Sequence, residues 1–430
     1  MAGGRRRRCG RRAVLPPLLG CLLAGALSGC GAPPDAAAPY RTDIQRMLDR
    51  RAEAVRDRDR DAFLATVDRG ADRYLSGQRR VFANLADVPL RSWSYRFTGT
   101  GGFRPAAGTG HRIAARVELR YRIAGYDTVP VTSEEHLTLV RRDGRWYIAA
   151  GGGGRAPQQL WEQGDVTVVR GRRAVVLGVG QDRTRLTELA RIADRAVPAV
   201  AGVWRDGWTR RVVVQVPASR ERMAALLGAP ADGYRGIAAV TTGVVGDGGG
   251  GPGSDGERAT SADRVIVNPD AFPVLGKLGR QVVMTHETTH VATRTSTTRT
   301  TPLWLSEGFA DWVAYRDTGR GPRDIAPELT RAVAAGNPPA ELPRTEDFRF
   351  GRDATELARA YEESWLACRM IADRWGERKL VEFYRAVGGS RVTGQRGAVA
   401  AALLTVLDVS EAEFLADWRE YAAGTLGRAD

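Results

Sequence analysis

The hydrophobic period of this 430-residue chain changes twice, and those changes limit what it can fold into more than any other feature. Apolar residues first recur at helical spacing, with Ile44, Met47, Leu48, Ala52 and Val55 opening a helical stretch over residues 42–67. Alternation then takes over in residues 93–97, 113–123 and 135–140, and Asp143-Gly144 predicts a tight turn into a returning strand at 145–148. Helices followed by hairpin-connected strands predict an α+β domain over residues 41–150. The glycines at 151–154 break the pattern and mark a linker over 151–165. Beyond it, strands are expected at 166–169, 174–178, 211–216, 237–240 and 264–267, with a helix at 185–203. From Gly276 onward helical spacing dominates. A chain of this length exceeds what one core usually organises, so a second domain is expected over 166–430, a mixed sheet followed by a helical C-terminal part. The glycine-dense run 246–257 has no means of building a core and reads as a surface loop. No Gly-Lys-Ser/Thr follows it, which excludes a phosphate cradle.

The first thirty residues are of another kind. An arginine-rich start precedes an apolar stretch over 13–26, broken by Pro16 and Pro17 and too short for a bilayer span of about 20 residues. It reads as an export signal. The tetrapeptide Leu27-Ser28-Gly29-Cys30 that follows resembles the lipobox of bacterial lipoproteins, which implies a signal peptide over 1–29, acylation of Cys30, and a tether over 30–40. The expected location is then the extracytoplasmic face of a membrane, held by lipid; a secretory peptide cut elsewhere is the alternative. Arg11-Arg12 loosely resembles a twin-arginine export motif. The formal charge of +14 does not argue for a nucleic-acid partner, because six of the arginines sit at positions 5–8, 11 and 12 and the others are interleaved with acidic residues. Cys9 and Cys21 leave with the signal, Cys30 is acylated, and Cys368 alone remains, in a helical apolar stretch that suits a buried thiol.

The chemistry concentrates in His286-Glu287-Thr288-Thr289-His290, within a helix-compatible stretch that includes Val282, Val283 and Met284. Helical residues four apart stack on one face about 6 Å apart, so both imidazoles can converge on one ion. Zinc accepts nitrogen ligands at about 2.1 Å and, in catalytic sites, takes a third protein ligand plus water. Glu287 is rotated off the ligand axis, where a carboxylate can serve as general base toward that water without itself ligating. The chain has four histidines, and spending two of them in this arrangement makes chance a poor account. His111 and His136 fall among strand residues and read as structural.

The third ligand lies elsewhere. Metzincins place a histidine shortly after the motif, but here those positions are Thr293 and Ser296. The following run, Pro302-Leu303-Trp304-Leu305-Ser306-Glu307-Gly308-Phe309-Ala310-Asp311-Trp312, resembles the second helix of gluzincins, the clan of thermolysin-like and aminopeptidase N-like peptidases. That resemblance implies Glu307 as third ligand and Asp311 as the outer carboxylate on a ligating histidine. The interval from His290 to Glu307 is shorter than in either named relative, so the likeness is to the clan and to compact gluzincin-like domains of bacterial lipoproteins. It is strong over 282–312 and faint elsewhere in 166–426. No histidine follows His290 to serve as oxyanion donor, so the aminopeptidase-like pattern points to Tyr361, a residue that could equally be a core tyrosine. The first domain, by its order of elements and its closing Gly144-Arg145-Trp146-Tyr147 strand, is similar to the SnoaL-like, nuclear-transport-factor-like cone. Together these readings imply a zinc peptidase acting on a peptide or protein substrate, with no nucleic-acid partner. The alternative is a binding or scaffold lipoprotein that keeps the fold without catalysis.

Overall fold

The computed structural model describes residues 38–152, 156–242, 262–348 and 353–427. Cys30, the leader and the glycine-dense run 246–257 lie outside these residues. The chain is α+β: an antiparallel four-stranded sheet, a mixed five-stranded sheet and a helical C-terminal part. Three helices open it, α1 (Arg41–Arg56), α2 (Arg60–Leu64) and α3 (Asp72–Asp87). They cover the sheet β1 (Leu90–Thr100), β2 (His111–Ile123), β3 (Val131–Arg142) and β4 (Arg145–Gly151), whose strands pair in sequence order. The β3–β4 turn is the one expected, since Asp143 (φ 47°) and Gly144 (φ 77°) both take the positive φ that a tight two-residue hairpin needs.

The second sheet has the order β5 (Val166–Arg170), β6 (Ala174–Val179), β7 (Val212–Val216), β9 (Val265–Val267), β8 (Ala239–Thr241). β6, β7 and β9 run parallel, so β6 and β7 need a crossover. Helix α4 (Arg183–Val203) supplies it, capped by the Asp182 carboxylate that accepts the Arg185 amide. β6 and β7 are buried along their whole length and are apolar but for Gln215, because both faces are covered. β8 is antiparallel to β9 and forms the edge. A short helix α5 (Arg220–Leu227) follows β7.

The segment expected as a linker is in part built into the core. Trp161 packs against Trp93 at 5.5 Å and Tyr121 at 5.1 Å, and their cluster continues into Val175, Leu177 and Val213 of the second sheet. A bidentate pair, Arg264 Nη1 and Nη2 to the Asp127 carboxylate at 2.8 and 2.7 Å, ties the entry to β9 to the β2–β3 turn, with both side chains only 3% exposed.

The C-terminal part comprises α6 (Lys277–Thr293), α7 (Leu303–Tyr315), α8 (Pro322–Ile325), α9 (Pro327–Ala334), α10 (Ala354–Trp375), α11 (Glu377–Gly388), α12 (Gln395–Ala402) and α13 (Glu411–Leu426). Their shared core holds Trp204, Phe309, Trp365, Phe383, Tyr384 and Trp418. Among the described residues no helix is long and apolar enough to cross a membrane.

Candidate metal centre

Helix α6 is rich in threonine, a poor helix former, yet most of it is buried. The hydroxyls resolve the conflict by bonding back along the helix. Thr285, Thr288, Thr289 and Thr293 each donate to the carbonyl four residues earlier, at 2.7–3.0 Å, so they pack without leaving a polar group unpaired. The helix thereby reaches the interior with His286 and His290 on one face. Opposite them, α7 brings Glu307. Gly308, the next residue, lets α10 pass at backbone distance: a Cβ there would stand 2.2 Å from the Ser364 carbonyl oxygen. Ser-Glu-Gly is thus a packing requirement as well as a ligand position.

His286, His290 and Glu307 form a triangle. The two Nε2 atoms are 3.0 Å apart, and Glu307 Oε2 lies 3.2 Å from His286 and 3.5 Å from His290. Donor atoms held at about 2.0–2.2 Å in a tetrahedral shell stand about 3.3–3.5 Å from one another, close to these edges. The polar accounting agrees. His286 Nδ1 lies 2.8 Å from the Asp311 carboxylate, and a neutral ring donating there presents the lone pair of Nε2 to the triangle. Glu307 Oε1 is buried with no partner among the described residues. The three side chains could hold a metal ion between them. Among the described residues this is the one His/Cys/Asp/Glu group with such convergence, and it has three members.

The electrostatics carry the same signature. Burial alone would lower the His286 pKa, but the Asp311 and Glu307 carboxylates override it and raise it well above the ordinary value. Burial alone would raise the Glu307 carboxyl, yet the charge of His290 and hydrogen bonds from both rings hold it well below the usual range.

Glu287 is 6% exposed and outside the ligand group. Its Oε2 accepts a hydrogen bond from the Thr241 hydroxyl at 2.7 Å, and the same hydroxyl lies 3.1 Å from the Glu287 carbonyl. Thr241, at the end of edge strand β8, is the one site residue that sequence reasoning did not find; nothing in the strand pattern sets it apart. Tyr361 on α10 stacks edge-on to Phe348 at 5.2 Å, and its hydroxyl has no hydrogen-bond partner among the described residues. Burial, with the nearby charges of Glu307, Asp311 and Glu287, raises its pKa well above the ordinary value, so it stays a proton donor. Tyr361 and Asp311 also line a cavity of about 780 Å³.

The remaining sequence candidates are elsewhere. Cys368 is a free, fully buried thiol in the helical core. His136 sits 2.7 Å from Glu134 and stacks on Phe103, and His111 packs near Tyr40 and Trp146. Neither belongs to the convergent group. Comparison with protein-family models and with curated proteins finds no match.

Proposed function

We propose that this chain is a zinc-dependent peptidase of the gluzincin kind, held by an acylated Cys30 at the extracytoplasmic face of a membrane. The observation that carries the reading is the count and placement around the triangle: three protein donors, a non-ligating buried carboxylate beside them, and a cavity at their margin. A structural zinc site closes its shell with four protein donors, whereas a catalytic one keeps a position for water or substrate. Two imidazoles and one carboxylate also suit zinc better than calcium or magnesium, which prefer all-oxygen sets.

His286, His290 and Glu307 would hold the ion, with Asp311 orienting the His286 ring. Zinc, when bound, supplies Lewis acidity toward the scissile carbonyl and lowers the pKa of water toward about 7. Glu287 then accepts the proton of the attacking water and delivers it to the leaving amine, its carboxylate aimed by Thr241. Tyr361, neutral and without a competing partner among the described residues, donates to the developing oxyanion. β8 stands at the sheet edge beside this helix, and an extended peptide can pair with such an edge, which favours a polypeptide substrate.

The test is Glu287→Gln in the zinc-loaded protein. The amide is nearly isosteric, so bound zinc should stay at one per chain, while hydrolysis of a peptide library falls by about 10²–10⁴. A wild type that cleaves nothing, or a variant that cleaves as well as wild type, leaves the non-catalytic scaffold as the better account.

A further inference from the structure

The connection between the two ligand helices, residues 294–302, has no hydrophobic hold of its own. From 294 to 301 it reads Arg-Thr-Ser-Thr-Thr-Arg-Thr-Thr, without one apolar side chain. It is tied instead to the end of α11, a helix that carries no ligand. Thr298 Oγ1 donates to the Gly388 carbonyl at 2.9 Å, and Thr300 Oγ1 to the Val387 carbonyl at 2.8 Å. The last carbonyls of a helix have no partner within it, so these two hydroxyls cap α11. The approach is close enough that a Cβ on Gly388 would collide with the Ser296 carbonyl oxygen. One turn earlier, the Tyr384 hydroxyl is fully buried and lies 2.7 Å from Thr297 Oγ1, which in turn donates at 3.2 Å to the carbonyl of Thr293, the last residue of α6. Burial raises the Tyr384 pKa, and the hydroxyls of Thr297, Thr293 and Ser306 act against that rise. Thr293 follows His290 on α6 and Ser306 precedes Glu307 on α7, so groups from both ligand helices stand around one phenol.

We propose that α11 is a positioning element of the metal centre: through Tyr384 and its capped end it fixes the start of α7 against the end of α6, and so sets where Glu307 stands relative to the two imidazoles. The inference rests on the metal-binding part of the proposed function and extends it to a helix that contributes no ligand. A metal shell whose donors come from two helices closes only if both are held to within about 0.5 Å. Gly308 holds α7 against α10, not against α6. Apolar burial is non-directional, whereas a hydrogen bond weakens steeply as its angle opens, so hydroxyls on a helix end define the place of a polar connection more sharply than packing would. Removing those hydroxyls lets the connection shift, and Glu307 with it, although every ligand remains in the chain.

The experiment uses the full chain and two probes. Zinc in competition with a chelator gives affinity, and cobalt(II) gives geometry, because zinc has a filled d shell and no d–d absorption. Tyr384→Phe keeps the ring and removes the hydroxyl. It should weaken zinc about tenfold, the low end of what outer partners of a metal site contribute, and shift the position or intensity of the cobalt bands. Thr298→Val combined with Thr300→Val, on the partly exposed connection, should do the same and is the second variant should the first not fold. Thr298→Ser with Thr300→Ser keeps both hydroxyls and should retain wild-type affinity and spectrum. Phe414→Leu, in α13 of the same core, is the stability control: it should lower the midpoint of denaturant unfolding and leave both metal readouts unchanged. Folded phenylalanine or valine variants with wild-type affinity and spectrum overturn the proposal. So does a Phe414→Leu that moves both readouts as far, since general loss of stability then explains them. A wild type that binds neither metal overturns the metal centre and this proposal together. A wild type that binds both and cleaves no peptide, with the variants shifted as expected, supports the proposal while removing hydrolysis.

Discussion

Arg51 and Glu307 are buried to the same degree, 4% exposed each, and their surroundings differ in kind. Arg51, between α1 and α3 on the inner side of the four-stranded sheet, donates to Thr66 Oγ1 at 2.9 Å, to the Phe63 carbonyl and to Gln78, and lies over the Phe63 ring. Donors there meet acceptors, and α1, α2 and α3 close around them. At the centre between α6 and α7, the Nε2 atoms of His286 and His290 and Oε2 of Glu307 converge within 3.0–3.5 Å of one another, and Glu307 Oε1 has no partner among the described residues. What sets this place apart is convergence of three ligand-type side chains on one point, since a single buried unpaired polar atom costs only about 1–3 kcal/mol and occurs elsewhere among the described residues. Burial alone therefore does not set this site apart from other buried polar groups. Convergence does.

That contrast can be broken at three places. The largest effect is expected at the buried pair Asp127–Arg264, where Asp127→Ala strands a guanidinium 3% exposed and should cost about 3–5 kcal/mol of stability in denaturant unfolding. Zinc stoichiometry should be unchanged in that variant under native conditions; loss of zinc at full folding would show that the two regions are not separable in role. At the convergent site, Asp311→Asn should weaken zinc affinity by about 10–100-fold in competition with a chelator, because the amide no longer takes the His286 proton as a carboxylate does. Unchanged affinity would remove Asp311 from the metal's support.

The smallest effect is expected at Glu363, an intermediate case. It is 8% exposed and paired with Arg359 at 2.8 Å, and burial still pushes its carboxyl up to about 7. The folded protein therefore keeps this proton to a higher pH than the unfolded chain does, so stability is lost as pH rises from about 4.5 to about 7 and is flat above. Glu363→Gln removes that titration, and the loss of stability between pH 4.5 and 7.5 should shrink by on the order of 1 kcal/mol. An identical pH profile would show that Glu363 does not carry this titration.

Much of the molecule was legible before folding. The alternation in residues 93–97 and 113–123 lies inside β1 and β2, and the helix expected at 185–203 is α4 less two residues. Two helices were not anticipated. α3 shows only a thin apolar stripe through Tyr74, Val81 and Leu85, and α5 is eight residues long. Both are stabilised by what they pack on more than by their own pattern. The expected strand at 237–240 is shifted to Ala239–Thr241, because its pairing partner β9 sets where the ladder begins.

For the site, the sequence by itself determined the local half: a helix repeats every 3.6 residues, so His286 and His290 share a face and Glu287 does not, whatever surrounds them. Only the tertiary structure decided the rest. That Glu307 closes the triangle, that Asp311 meets Nδ1, that Thr241 aims Glu287 from a strand 46 residues away, and that Trp365 and Ile237 face one cavity all depend on long-range packing. The period of a helix is a property of its own backbone, whereas the meeting of α6, α7, α10 and β8 is selected by the burial of surfaces far apart in the chain, which no local pattern encodes.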